Sequence, residues 1–168
     1  GNIAVFDTTS RMSAEKISYA LNQRLPEDIR IQKSEQVEND WHPRKCDSRK
    51  TYEYRIYRAE FPMPVKRLYS LFTYHELDVS QMQEAAAYLE GEHDFKSFCQ
   101  TGAQVESTVR TIYSVEVEEQ GDNDLVIRVC GNGFLYNMVR IIVGTLLDIG
   151  QGKRDPMDIF TILEAKER

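Results

Sequence analysis

Apolar positions along the chain recur with two different periods, and the switch between them divides it into predicted helices and strands. Ile3-Ala4-Val5-Phe6 is a short apolar run that reads as a strand. From Ser13, the expected N-cap, Ile17, Ala20, Leu21 and Leu25 follow at helical spacing until Pro26. Residues 29–37 open as an alternation, and residues 51–57 alternate Tyr and Ile with Thr, Glu and Arg, so both predict strands. Phe61-Pro62-Met63-Pro64 breaks the chain, and the stretch onward to His75 is expected to be irregular or partly helical. Ser80 is expected to cap a helix carrying Met82, Ala85, Ala86 and Leu89 and ending at Gly91, with 94–98 as a loop. Residues 108–118 and 125–130 alternate on either side of Gly121-Asp122-Asn123-Asp124, which predicts an antiparallel hairpin. Residues 134–149 and 156–168 predict two helices separated by Gly150, Gly152 and Pro156. This order predicts an α+β fold, an antiparallel sheet packed with helices, in one domain over 1–168 that reads as a piece of a larger protein.

Composition narrows the class. An apolar share of 41% with 29% charged residues fits a soluble globular domain, and no apolar run approaches the ~20 residues that span a bilayer. Cys46, Cys99 and Cys130 are odd in number and lack C-x-x-C spacing, so they read as reduced and structural, in a cytoplasmic protein. Asp122, Asn123 and Asp124 lack the spacing of a calcium loop, and His42, His75 and His93 lack that of a metal site. Neither a Gly-x-Ser-x-Gly nor a phosphate-loop pattern occurs, which disfavours a hydrolase or a nucleotide-triphosphate enzyme. A net charge of -6 counts against a nonspecific nucleic-acid binder. Its distribution matters more: Arg44, Lys45, Arg49, Lys50, Arg55 and Arg58 stand against only Asp47 and Glu53 in residues 42–58.

Two constellations carry candidate chemistry. On the helix predicted after Gly133, apolar residues leave almost no polar face, so burial nearly all round is expected, and Arg140 then needs an anion. An unpaired buried guanidinium costs on the order of several kcal/mol and cannot escape by losing its proton. A scaffold ion pair and a site carboxylate or phosphate both meet that need. The glycines of Gly131-Asn132-Gly133 allow backbone or ligand to approach closely beside a helix N-terminus. The second constellation is Trp41-His42-Pro43-Arg44 followed by Arg49-Lys50-Thr51-Tyr52-Glu53-Tyr54-Arg55. Strand alternation puts Tyr52, Tyr54 and Ile56 on one face. A tyrosine stacking on an unpaired base beside phosphate-holding cations fits this pattern, and so do two core tyrosines beside solvated charges.

Together these residues resemble the TruA family of tRNA pseudouridine synthases, whose members carry a Gly-x-Gly-Phe-Leu-x-x-Met-Val-Arg run matched from Gly131 to Arg140. Agreement extends to Leu21-Asn22 with Leu25-Pro26-Glu27-Asp28-Ile29, to His42 and Arg44, to Tyr52 with Tyr54, to Asp94-Phe95 with Ser97-Phe98, and to Lys166 with Arg168. The resemblance spans essentially the whole chain. It implies cofactor-independent isomerisation of uridine to pseudouridine in the anticodon stem-loop of tRNA, the base being detached, turned and rejoined through carbon. A cytoplasmic homodimer without metal or membrane partner is implied as well. By the same resemblance Tyr52 stacks on the target base and takes part in proton removal, and Arg140 pairs with and orients a nucleophilic aspartate. Arg44, Arg49, Lys50, Phe98 and Gly133 are implied as RNA or substrate contacts, with Lys45 to Ser48 departing from the family pattern. The aspartate belongs to an Arg-Thr-Asp-x-Gly-Val-His-Ala motif that occurs nowhere in the 168 residues. The expectation is therefore a chain that begins after the catalytic loop, stops before a closing segment, and is inactive by itself. The competing expectation is a non-catalytic α+β RNA-binding or dimerisation module in which Arg140 is scaffold.

Overall fold

In the computed structural model, which describes residues 2–43, 46–102, 105–121 and 123–167, contacts divide the chain into two units, Gly1–Asp47 and Ser48–Arg168. The first unit is built on α1, Ala14–Asn22. Ser13 holds the N-cap position with extended backbone, but its side chain makes no cap bond. The strand expected at 29–37 does not form, because α1 holds that segment through side chains instead. Asn22 exchanges two hydrogen bonds with the Ile31 backbone, at 2.9 and 2.8 Å. The Ser34 hydroxyl accepts from Ser18 N at 2.9 Å and donates to the Ala14 carbonyl at 2.6 Å. Backbone groups satisfied in this way have no need of a strand ladder. Residues 3–6 are likewise not a strand: Ile3, Val5 and Phe6 are exposed, with no pairing strand among the described residues.

The second unit runs β1 (Lys50–Arg58), β2 (Leu71–Thr73), α2 (Val79–Ala87), β3 (Gly91–Asp94), a single 3-10 turn at Lys96–Phe98, β4 (Val109–Gln120), β5 (Asp124–Gly131), α3 (Met138–Gly150) and α4 (Asp158–Ala165). The strands form one sheet in the order β2-β1-β5-β4-β3. All neighbours are antiparallel except β1 and β2, whose parallel pairing makes the sheet mixed. The α+β class holds and the predicted hairpin is β4–β5, with Val117 opposite Ile127 and Val115 opposite Val129. Strand β2 escaped prediction because three residues are too short to display a period. Asp78, not Ser80, caps α2, its carboxylate accepting from Gln81 N at 3.0 Å. The helix ends at Ala87, and Gly91, at φ 103°, opens β3 where a loop was expected to follow. Helix α3 begins four residues later than its apolar run, because Asn137 takes a left-handed backbone at φ 58°. No helix among the described residues is long and apolar enough to cross a membrane.

Helices α2 and α3 pack on each other and α2 packs on β4. The core between them joins Met82, Ala85, Met138, Ile142 and Leu146 to Ile127 and Val129 of the sheet. At its edge the Gly150 carbonyl accepts from Asp78 N at 2.8 Å, tying the end of α3 to the start of α2. A Cβ on Gly150 would lie 2.6 Å from Met82 Sδ and 2.9 Å from its Cγ. Met82 is fully buried, so relieving that contact means repacking the core around it. Gly150→Ala is therefore expected to cost about 1–3 kcal/mol in chemical unfolding. The loss should shrink in a Met82→Ala background, where the clash is gone, and simple additivity would contradict this packing.

Asp94 joins three elements. Its Oδ1 accepts from the Thr108 hydroxyl at 2.5 Å and from Lys96 N at 3.2 Å, and its Oδ2 lies 3.7 Å from Lys166 Nζ. The Thr108 hydrogen bond, then the Lys96 amide and the two lysine charges, hold the carboxyl below its ordinary value against the opposing effect of desolvation. A depressed carboxyl stabilises the fold above the ordinary carboxylate range, and that contribution disappears as pH falls through the folded value. Asp94→Asn should flatten the acid limb of a stability–pH curve, and an unchanged limb would count against the assignment.

Candidate functional site

The register of the sheet builds the site. Tyr52 pairs with Val129 and Val129 with Val115; one row onward, Lys50 pairs with Gly131 and Gly131 with Ile112. Alternation puts these on the face that carries the core. Along β1 this face grades from solvent to interior, with Tyr52 53% exposed, Tyr54 half-buried and Ile56 buried. The two readings of the tyrosine pair thus divide between its members: Tyr54 packs against the core and Tyr52 is offered to solvent.

Beyond β5 the chain crosses this end of the sheet before entering α3. Asn132 N donates to the Thr111 carbonyl at 3.0 Å and Asn132 Oδ1 accepts from Thr111 N at 3.0 Å, extending the β4–β5 ladder by side chain. A Cβ on Gly131 would lie 2.9 Å from the Thr111 carbonyl oxygen and 3.4 Å from the Phe134 ring, so only glycine fits. The Phe134 ring then meets Tyr52 edge to face, with centroids 5.2 Å apart and planes at 89°. Phe134 was missed as a site residue because the apolar run from 134 reads as one helix. Downstream, Gln100 N donates to the Tyr136 carbonyl at 3.0 Å, and the Asn137 amide bonds the Gln100 side chain.

The face of α3 expected to be buried all round is not. Met138, Val139, Ile142, Val143, Leu146 and Leu147 are buried, whereas Arg140 and Gly144, one turn apart, are exposed. Apolar residues ring the helix, but Gly144 has open space where a side chain would stand, so no described residue covers the helix at that point. Arg140 is exposed and makes no ion pair or hydrogen bond with a described residue. A guanidinium in water has no desolvation penalty to offset, which removes the requirement for a scaffold partner.

The basic ribbon divides in a similar way. Arg55 is paired with Glu53 at 2.7 Å and Arg58 with Glu76 at 2.6 Å. Arg49 lies over the Tyr113 ring, 4.6 Å from its centroid. Lys50 has no ion pair among the described residues. Arg44 lies outside the described residues. On the sheet face opposite Tyr52, Arg128 links Glu53 at 3.0 Å and Glu118 at 2.6 Å. The Arg55 hydrogen bond and then that of Arg128 hold the Glu53 carboxyl below its ordinary value, while Glu118 and then Glu53 raise Arg128. Phe98 needs correcting as an RNA contact: it is fully buried against Phe95, with centroids 5.9 Å apart, and a side chain without exposure cannot touch a macromolecule. Gly133 is half-buried, and the side chain nearest to a Cβ placed on it is that of Arg110.

This arrangement offers a braced aromatic surface, Tyr52 on Phe134, and an uncommitted guanidinium on the helix that follows. The sequence match has the same emphasis. A family model described as tRNA pseudouridine synthase matches residues 85–168, the part that contains α3. A tRNA pseudouridine synthase A of Ruminiclostridium cellulolyticum is 46% identical over 168 residues, covering 100% of this chain and 69% of that protein. Those of Bacillus licheniformis and Bacillus subtilis are 45% and 44% identical, each over 100% of this chain and 68% of their own length. Identity at this level along the entire chain, together with a family match that takes in the helix of Arg140, establishes that the chain belongs to the tRNA pseudouridine synthase family.

Proposed function

We propose that Tyr52 and Arg140 are the base-stacking and aspartate-orienting residues of an enzyme that isomerises uridine to pseudouridine in the anticodon stem-loop of tRNA. The observation that carries this reading is Arg140, an exposed guanidinium with no anionic partner among the described residues, inside the Gly131 to Arg140 run. A cation of this kind pairs with a carboxylate and holds it ionised, the state a nucleophile needs. Tyr52, braced by Phe134, supports the reading as a platform for an extruded base. Lys50, on the same face, and Arg49, over the Tyr113 ring, support the reading as cations for backbone phosphates. No Arg-Thr-Asp motif lies in the 168 residues, so the reading takes the aspartate from outside them, and these residues alone do not turn over. The reading includes a cytoplasmic homodimer as the working form.

The test is substitution in the intact protein assayed on an unmodified stem-loop. Arg140→Ala should fold with stability within about 0.5 kcal/mol of the parent, as for an exposed unpaired side chain. Its kcat should fall by roughly a hundredfold or more, the scale of losing a preorganised charge contact. Tyr52→Ala should weaken the complex by about 1–3 kcal/mol, the value of one stacked base, while Tyr52→Phe keeps that affinity. Lost folding with Arg140→Ala, or undiminished turnover, would return Arg140 to the scaffold.

A further inference from the structure

Arg110 stands on β4 one row beyond Ile112, just past the point where Asn132 continues the ladder on Thr111. It is half-buried and makes no ion pair among the described residues. A half-buried guanidinium without a carboxylate is the unusual case, because such a group has given up part of its hydration. Its conformation is nevertheless fixed: Nη1 donates to the Ser107 carbonyl at 2.9 Å and to the Val109 carbonyl at 2.6 Å. With Nη1 held by backbone, the Nε–H and Nη2–H edge remains, and that edge is the fork that binds a phosphate with two parallel hydrogen bonds.

Gly133 stands beside this edge. The nearest side-chain atoms to a Cβ built on Gly133 are Arg110 Nε at 3.8 Å and Cδ at 3.9 Å. A side chain at 133 would start in van der Waals contact with the Nε end of the fork. Gly133 has an ordinary backbone conformation, so neither strain nor a tight turn accounts for a glycine there. The same Asn132–Phe134 crossing places Phe134 against Tyr52, so the fork and the exposed tyrosine flank one short segment.

We propose that Arg110 binds a backbone phosphate of the RNA strand whose base rests on Tyr52, with Gly133 as the gap through which that phosphate approaches. This rests on the RNA-modifying reading above. Arg110 fixes where the strand lies and takes no part in bond making.

The experiment uses the intact protein and an unmodified tRNA anticodon stem-loop, with Kd measured across a series of salt concentrations. Arg110→Gln keeps a side-chain N–H for the two carbonyls but removes the charge. The expected result is an affinity loss on the order of tenfold at low salt. The slope of log K against log salt should also fall by about 0.7–0.9, the release of one counterion. Arg110→Lys should recover the slope. A purely structural role would lower affinity at unchanged slope, and that result, or no loss at all, overturns the proposal. In a second arm the wild-type protein meets stem-loops bearing one neutral methylphosphonate at each backbone position in turn. A single position near the target uridine should reproduce the Arg110→Gln loss, and a uniform response at every position overturns the assignment even if the variant does not fold. Wild-type protein that fails to bind the stem-loop overturns the RNA reading itself, an outcome distinct from either of these.

Discussion

The geometry of the candidate site depends on the absence of a side chain at Gly131. Strand β5 lies between β1 and β4, and at its last residue the Thr111 carbonyl would meet a Cβ at 2.9 Å. Close approach at that point lets Asn132 continue the ladder and drops Phe134 onto the row occupied by Tyr52. The same crossing delivers the chain to Asn137, whose left-handed backbone sets where α3 starts and hence which of its residues face water. A side chain at 131 would force either the hydrogen-bond ladder or the aromatic pair to give way. The glycine thus couples the sheet, which supplies Tyr52, to the helix that supplies Arg140.

Electrostatics separates the two faces of the sheet. The face opposite Tyr52 holds Glu53, Glu116 and Glu118 around Arg128, and Arg55 completes the set. Pairs this exposed contribute little stability each and are screened by salt. Their consequence is spatial, since they collect acids and the arginines that neutralise them away from Lys50, Arg110 and Arg140. A net charge of -6 is therefore compatible with an anion-binding face, because the sum hides the segregation.

Legibility in the sequence followed the range of the interaction. Elements set by local period and punctuation were readable: α1, β1, the β4–β5 hairpin and the bodies of α2, α3 and α4. Tertiary partners decided the remainder. Residues 29–37 have strand-like alternation but are held by Asn22 and Ser34, contacts that no local pattern encodes. Strand β2 exists because β1 offers it an edge. The Gly131 to Arg140 run and Tyr52 stood out in the sequence as candidates, and the exposure of Arg140 did not: a helix apolar all round predicts burial, and only the packing of the described residues leaves Arg140 exposed. Phe98 failed for the converse reason, since a sequence motif does not distinguish a core aromatic from a contacting one. Phe134 and Arg110 gain meaning only from the register that brings 132–134 against β1 and β4.

The central claim is that the target nucleotide lies on the Tyr52–Phe134 surface at the mouth of α3. Photocrosslinking tests it most directly, using a stem-loop with 4-thiouridine in place of the target uridine, irradiation in complex with the intact protein, and mapping of the adduct by mass spectrometry. The account predicts an adduct confined to Tyr52, Phe134 or their immediate neighbours in residues 132–140. Adducts concentrated on the opposite sheet face, around Arg128 and Glu116, would contradict it.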